Sequence, residues 1–388
     1  MKLTEVTQER HIREFLQLPL RIYQNDPNFI RPLDDDIEQV FDKERNEGFK
    51  TGNCIRWILQ DEDNRTIGRI AAFYNNDPSV TNEQPTGGVG FFECINNQEA
   101  AFLLFETAKT WLQKQGMEAM DGPINFGPRD RWWGLLADGF YPPCYCSNYN
   151  PAYYQELFES YGFQLYFRQY TYFRNTQESL RPAHYAIAAR LEQNGSYSFS
   201  HLRKNSLDKY AKDFLKIYNK AWINHQGVEE MTFEKARDIV YSLKPVLDEK
   251  IMWFAYHKDE PVGFFICIPD LNQLIVKYVQ GKIRFFDKLR LLYNKWMGRC
   301  KTMYGIAFGV VPEHQRKGVE AAMIVSASKL FQQKGQVPYT ELQMNWIGDF
   351  NPKMMHVAEQ IGAKVYKTHH TYRYLFDRNK EFKRHPEI

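Results

Sequence analysis

Little in this 388-residue sequence is out of balance. Charge of either sign is hardly in surplus: 50 Lys plus Arg against 47 Asp plus Glu leave a formal +3. That excludes the strongly basic footprint of a dedicated nucleic-acid binder, so no nucleic acid is expected as a partner. No apolar run approaches the roughly 18 residues of a membrane span. The opening Met1 to Arg10 lacks the apolar stretch of a secretory signal. Cysteine is sparse and irregular, at 54, 94, 144, 146, 267 and 300. Its one close pair, Cys144-x-Cys146, has neither zinc-knuckle nor redox spacing. The expectation is a cytoplasmic protein with reduced, buried thiols and no metal.

What the chain does have is apolar and aromatic weight. Hydrophobic residues make up 43%, and 28 Phe with 24 Tyr carry most of the 15% that is aromatic. This is too apolar for disorder, and too long for one core, which stops growing near about 250–300 residues. Two domains are expected.

An internal repeat sets their architecture. Asn150-Pro151, an amphipathic stretch to Tyr161, Gly162 and an alternating aromatic run to Phe173 are echoed by a second set. That set is Asn351-Pro352, a stretch to Ile361, Gly362 and a run to Phe376. At a shift of 200, Gly162/Gly362, Tyr166/Tyr366, Thr171/Thr371 and Tyr172/Tyr372 recur. Asn as cap, Pro at the first helical position and Gly as stop predict a helix in each, followed by a strand. Upstream, Trp57 to Ile70 and Met252 to Phe265 both read as strand, polar turn, strand. Two units follow, 1–193 and 194–388, divided at the polar turn Gln193-Asn194-Gly195-Ser196. The fold class is α/β (α+β): each unit a mixed, mostly antiparallel sheet flanked by helices.

The most chemical segment lies in the second unit. Ile306 to Val311 reads as a strand, Pro312 to Gly318 as a tight basic turn, and Val319 onward as a helix. Backbone N–H groups at such a turn can cradle an anion, with Gln315, Arg316 and Lys317 adding donors and charge. Here Val310, Pro312, Gln315 and Gly318 match the pyrophosphate loop of the GNAT-type N-acyltransferases, and Asn351 with Gly362 keep that family's spacing of 11. The chain therefore resembles a tandem GNAT protein. The resemblance implies that acetyl-CoA or another acyl-CoA is held by Val310, Val311, Gln315, Arg316, Lys317, Gly318, Val319, Ala321 and Asn351. It also implies that a fifth strand, Thr340 to Asn345, splays from the fourth to admit the pantetheine arm. Glu320 stands where the family has a small residue. The first unit's equivalent turn, around Asn96-Asn97-Gln98-Glu99, has no Gly and no cation, so one cofactor per chain is expected. Its unit would be structural or a wall of the acceptor cleft.

The general acid Tyr usual in the family falls on Ala358, and on Phe158 in the first unit, so neither carries it. Asn345, Asp349 and Tyr372 are the candidate catalytic groups, each with an alternative turn-forming or structural role. A long loop from Asp121 to Pro151 brings Arg129, Asp130, Arg131, Trp132 and Trp133 together, either to bind the acceptor or to plug the interface between units. Residues 271–301 form a basic insertion, with eight Lys or Arg and one acid, Asp287. Within it Phe285, Leu289, Leu292 and Trp296 share one helical stripe, which fits a cover helix or weak membrane-surface contact through 277–301. The leading reading is transfer of an acyl, foremost acetyl, group to a small-molecule or peptide amine bound between the units. The alternatives are a tRNA-dependent aminoacyl transferase of the tandem type and a non-catalytic CoA-binding scaffold.

Overall fold

A computed structural model describes residues 1–76, 84–222 and 230–387, for Trp222 the backbone only. The first half runs β1 (Lys2–Glu5), α1 (Glu9–Ile22), α2 (Asp34–Phe41), β2 (Gly52–Gln60), β3 (Thr66–Asn75), β4 (Thr86–Cys94) and α3 (Gln98–Lys114). It continues through β5 (Ala119–Gly122), β6 (Leu135–Asp138), α4 (Tyr154–Tyr161) and β7 (Gln164–Asn175). A joining helix, α5 (Pro182–Asn194), leads to β8 (Tyr197–His201), α6 (Leu207–Trp222), α7 (Phe233–Ser242), β9 (Met252–His257) and β10 (Glu260–Pro269). The insertion holds α8 (Leu271–Leu274) and α9 (Phe285–Trp296). Then come β11 (Thr302–Val310), α10 (Val319–Gln332), β12 (Glu341–Gly348), α11 (Pro352–Gln360) and β13 (Lys364–Leu375).

The repeat is plain in this order: strand, two helices, hairpin, strand, helix, strand, helix, strand, twice over. The two echoed hairpins form as the sequence expects, β2 with β3 and β9 with β10. Gly162 and Gly362 close α4 and the turn after α11 with φ of +107° and +84°. Asn351 caps α11, its side chain accepting from the Met354 N–H at 3.2 Å. Asn150 does not cap α4. Its amide clamps Leu136 of β6, accepting from that N–H at 2.7 Å and donating to that carbonyl at 3.0 Å. The long loop thus contains a short strand that needs anchoring, and the helix starts three residues later than the Asn-Pro pattern implies.

The strands form one continuous sheet rather than two separate ones. Its order is β1-β2-β3-β4-β5-β13-β7-β12-β11-β10-β9-β8, with β6 on β13. Among the described residues only β4–β5 and β11–β12 are parallel; the other pairs are antiparallel. The last strand of each half lies in the other half's sheet: β13 pairs with β5, and β7 with β12. Side chains follow the exchange. Tyr172 is buried with Trp253, Phe264 and Met303 in the second unit's core, and α5 adds Ala188 and Leu191 there. Tyr372 is buried with Phe105, Phe158 and Leu104 in the first. The exchange gives Tyr172 and Tyr372 their apolar partners in the opposite half and buries both.

Candidate functional site

Strands β11 and β12 pair from Thr302–Glu341 to Gly305–Met344 and then part. Past that fork β11 stays bonded to β10 as far as Val310, while β12 keeps its pairing with β7 from Glu341 to Gly348 across a bulge between Met344 and Ile347. Ile306, the first residue beyond the fork, is 47% exposed. A parallel pair that opens in this way leaves one edge of β11 without a strand, next to the basic turn.

Pro312 starts a single 3-10 turn, and Gly318 with φ +89° caps α10. Gln315, Arg316 and Lys317 are exposed. Among the described residues neither cation pairs with a carboxylate. Val310, Val311 and Val319 point into the core, and Ala321 is half-buried. Gln315 donates its amide to the Val310 carbonyl at 2.9 Å, and the Val311 N–H donates to Val262. Burial raises the Glu320 carboxyl pKa. Gly318 is held close to the helix that joins the two halves. A Cβ there would meet Ile187 of α5 at 2.3 Å, so this glycine also accommodates a helix. In the first unit the Asn97 side chain accepts from the Ala100 N–H at 2.8 Å and fills the start of α3 itself.

Between the units lies a second feature. Asp130, Trp132, Trp133, Ser147, Gln169, Asn345, Trp346 and His369 line a cavity of about 10 Å³, room for about one water. The fold thus brings Asn345 together with three of the five loop residues picked out from the sequence. Asn345 acts as a staple: its Oδ1 accepts from Thr171 Oγ1 at 2.8 Å and its Nδ2 donates to Ser147 Oγ at 3.2 Å. The Trp346 indole donates to the Arg129 carbonyl at 2.9 Å, and the Arg129 guanidinium lies 5.7 Å from the Trp133 ring centre. Two buried donors on this cavity, Gln169 Nε2 and Trp133 Nε1, have no partner among the described residues. Unpaired buried N–H groups are rare, because each forfeits its hydration without recompense. His369 faces Gln169 across the β7–β13 pair. Burial pushes its pKa down to about 4. It is neutral near pH 7, and its Nε2 lies 3.1 Å from the Asn148 carbonyl, which can only accept. The proton therefore sits on Nε2 and Nδ1 keeps a lone pair.

A larger cavity of about 60 Å³ opens inside the first unit, sharing Trp132 and Ser147 with the one between units. Its walls are mostly apolar, among them Phe29, Ile30, Phe91 and Leu135, but it also touches Arg69, Glu93 and Tyr154. The Tyr23 and Tyr154 hydroxyls each donate to Glu93 Oε2 at 2.8 Å, and Arg69 lies 3.4 Å from Oε1. Burial, then the Glu93 charge, raises both phenol pKa values, which keeps them protonated donors.

The other candidates lie elsewhere. Tyr372, whose ring is in the first unit's core, donates to the exposed Glu159 at 2.8 Å. Asp349 accepts from Arg384 of the C-terminal segment at 2.6 Å. Burial works against the Arg131 charge, but Cys146, Tyr145, Asp130 and Asp36 more than restore it. Gln169, His369, Ser147 and Trp346 were not read from the sequence. The shift of 200 that equates Gln169 with His369 was the available signal.

No family model matches the chain. It is 26% identical over 369 residues to the bacterial ceramide synthase of Caulobacter vibrioides, covering 93% of this chain and 94% of that one. It is 23% identical over 375 residues to protein YghO of Escherichia coli K12, covering 93% and 92%. Among solved structures it resembles a tandem GNAT protein from the clavulanic acid pathway, with TM-score 0.55 at 9% identity over 97% of this chain and 98% of that one. It also resembles the GCN5-related glucosamine N-acetyltransferase region of a fungal multi-domain β-N-acetylglucosaminidase, with TM-score 0.57 at 11% identity. That likeness covers 96% of this chain but only 38% of the larger one. The forked parallel strands, the turn before α10 and these likenesses agree: the chain is a tandem of two GNAT folds.

Proposed function

We propose that this protein is an N-acyltransferase that takes an acyl group from acyl-CoA in its second unit and transfers it to the amine of a lipid acceptor held between the units. The observation that carries the reading is the fork of β11 from β12 beside a turn with two unpaired cations. Arg316, Lys317 and the first amides of α10 would hold the pyrophosphate, and the open edge of β11 the pantetheine arm. Bound there, acyl-CoA supplies an activated thioester carbonyl.

The chain's own groups do the positioning, which is most of what transfer from a thioester needs. Asp130, exposed beside the cavity between units, attracts the acceptor's ammonium. The two unpartnered donors, Gln169 Nε2 and Trp133 Nε1, meet oxygen on the acceptor or on the carbonyl as negative charge develops. The lipid class rests on the relative named a ceramide synthase, since ceramide is the N-acyl amide of a long-chain amino alcohol. The apolar walls of the cavity that shares Trp132 and Ser147 suit an alkyl segment of such an acceptor.

The test is calorimetric titration of the purified protein with free CoA, acetyl-CoA and long-chain acyl-CoA, followed by product analysis with a long-chain amino alcohol. Saturable binding with amide formation supports the reading. Absence of binding to all three ligands would defeat it.

A further inference from the structure

The insertion helix α9 is amphipathic in the opposite sense to a cover helix. Its apolar stripe faces outward: Phe285 is 70% exposed, Phe286 79% and Trp296 81%, with Leu289, Leu292, Tyr293 and Met297 also exposed. Single exposed apolar side chains are ordinary, but a contiguous helical stripe of them is not. The helix is fastened by its polar side. Asn294, its one buried residue, donates to the Leu274 carbonyl at 2.8 Å, and Lys295 donates to the Leu247 carbonyl at 2.9 Å. Asp287, the single acid of the insertion, is used up at the helix start, where it accepts from the Arg284 N–H at 2.8 Å.

Around this stripe stand Lys277, Lys282, Arg284, Lys288, Arg290 and Arg299, and among the described residues none of them pairs with a carboxylate. Lys277 and Arg290 lie over the Tyr278 ring instead, and Arg299 over Tyr293. We infer that α9 is a docking helix for the surface of an anionic lipid bilayer. Its Phe285, Phe286, Leu289, Leu292 and Trp296 enter the acyl boundary while the surrounding cations meet lipid phosphates. A second copy of the chain fits this face poorly, because pairing two such faces brings six cations against six. The docking stands on exposure and charge alone and does not depend on the acyl-transfer reading.

The helix is also tied to the first unit through an apolar cluster. Ile275, Val276 and Val279, just before α9, pack against Ile30 and Leu33 of the first unit, and Leu291 of α9 joins them. Ile30 also lines the apolar cavity beside Glu93. The inward side of α9, through Leu291, therefore packs in the same cluster as a residue of that cavity's wall.

Full-length protein would be floated with vesicles of phosphatidylcholine alone and with vesicles containing about 30 mol% phosphatidylglycerol. The expected result is binding to the anionic vesicles that weakens with salt. A Phe286→Ser/Trp296→Ser double variant should partition roughly tenfold less or lower, at an unchanged melting temperature. Lys288→Glu/Arg290→Glu should lose the preference for anionic lipid. Failure of the wild type to float, or equal flotation of the Phe286→Ser/Trp296→Ser variant, would overturn the inference. So would a wild-type dimer in sedimentation without lipid that this variant turns into monomer.

Discussion

Gln169 and His369 face each other across the β7–β13 pair, and they are 200 residues apart, the shift of the internal repeat. The pseudo-twofold axis of the tandem therefore runs between them. The cavity between the units sits on that axis, yet its two central residues differ in chemistry: an amide with an unpaired donor, and a neutral imidazole. An axis of internal symmetry becomes a directional site only when its two sides cease to match, and here they have.

Gln169→Met keeps the volume and removes the unpaired donor. Acyl-transfer kcat/KM should fall roughly 10–100-fold, the cost of one lost hydrogen bond to a developing charge. The melting temperature should move little, because the same change removes an unsatisfied buried group and leaves only Thr371 without its acceptor. Steady-state kinetics alongside thermal melting separates the two effects.

His369 predicts a pH dependence of stability. Its folded pKa of about 4 lies below an unfolded value of about 6.5. Between those values the unfolded chain binds a proton that the folded chain refuses, so stability falls as pH drops from about 6.5 towards 4 and changes no further below. Urea denaturation of the wild type and of His369→Gln at pH 7 and pH 5 should differ. The wild type should lose about 2 kcal/mol more over that interval than the variant.

Arg316→Ala/Lys317→Ala should weaken CoA binding roughly tenfold or more while leaving the melting temperature unchanged, since both side chains are exposed and unpaired. Gly318→Asp should behave differently. Its Cβ would collide with Ile187 in a backbone conformation that favours glycine, so it should lower stability as well as affinity. Calorimetry of the wild type should give one CoA per chain, because Asn97 fills the corresponding helix start in the first unit.

Residues 1–193 and 194–388 expressed separately should each fail to give a sharp thermal transition. Each fragment would carry the strand that the other's sheet requires, β7 in one and β13 in the other. Mixing the two during refolding should restore a one-to-one complex with a cooperative melt.

The elements were largely legible because they rest on local rules: the alternating aromatic runs, the polar hairpin turns and the Asn351–Gly362 helix. The strand exchange was not, since pairing partners about 200 residues apart leave no local pattern. Tyr172 and Tyr372 illustrate the limit. Their recurrence pointed to a shared role, and each is indeed buried, but in the core of the opposite unit. The apolar stripe of α9 was readable, but its direction was not, because orientation depends on Asn294 and Lys295 finding acceptors on distant carbonyls. The cavity between units draws on β6-flanking loops, β7, β12 and β13 together, a juxtaposition that only the assembled sheet creates.

The exchange also orders events in time. The first unit's own strands are complete at Asn175, but the strand that seals its core ends at Leu375. At about 5–20 residues per second the ribosome needs roughly 10–40 s to make the intervening segment. Throughout that interval the nascent first half displays the unsatisfied edge of β5 and an apolar surface around Phe105 and Phe158. A chain built this way cannot fold from its beginning forward. It closes at its last strand, and chaperone occupancy during synthesis should persist until that strand emerges.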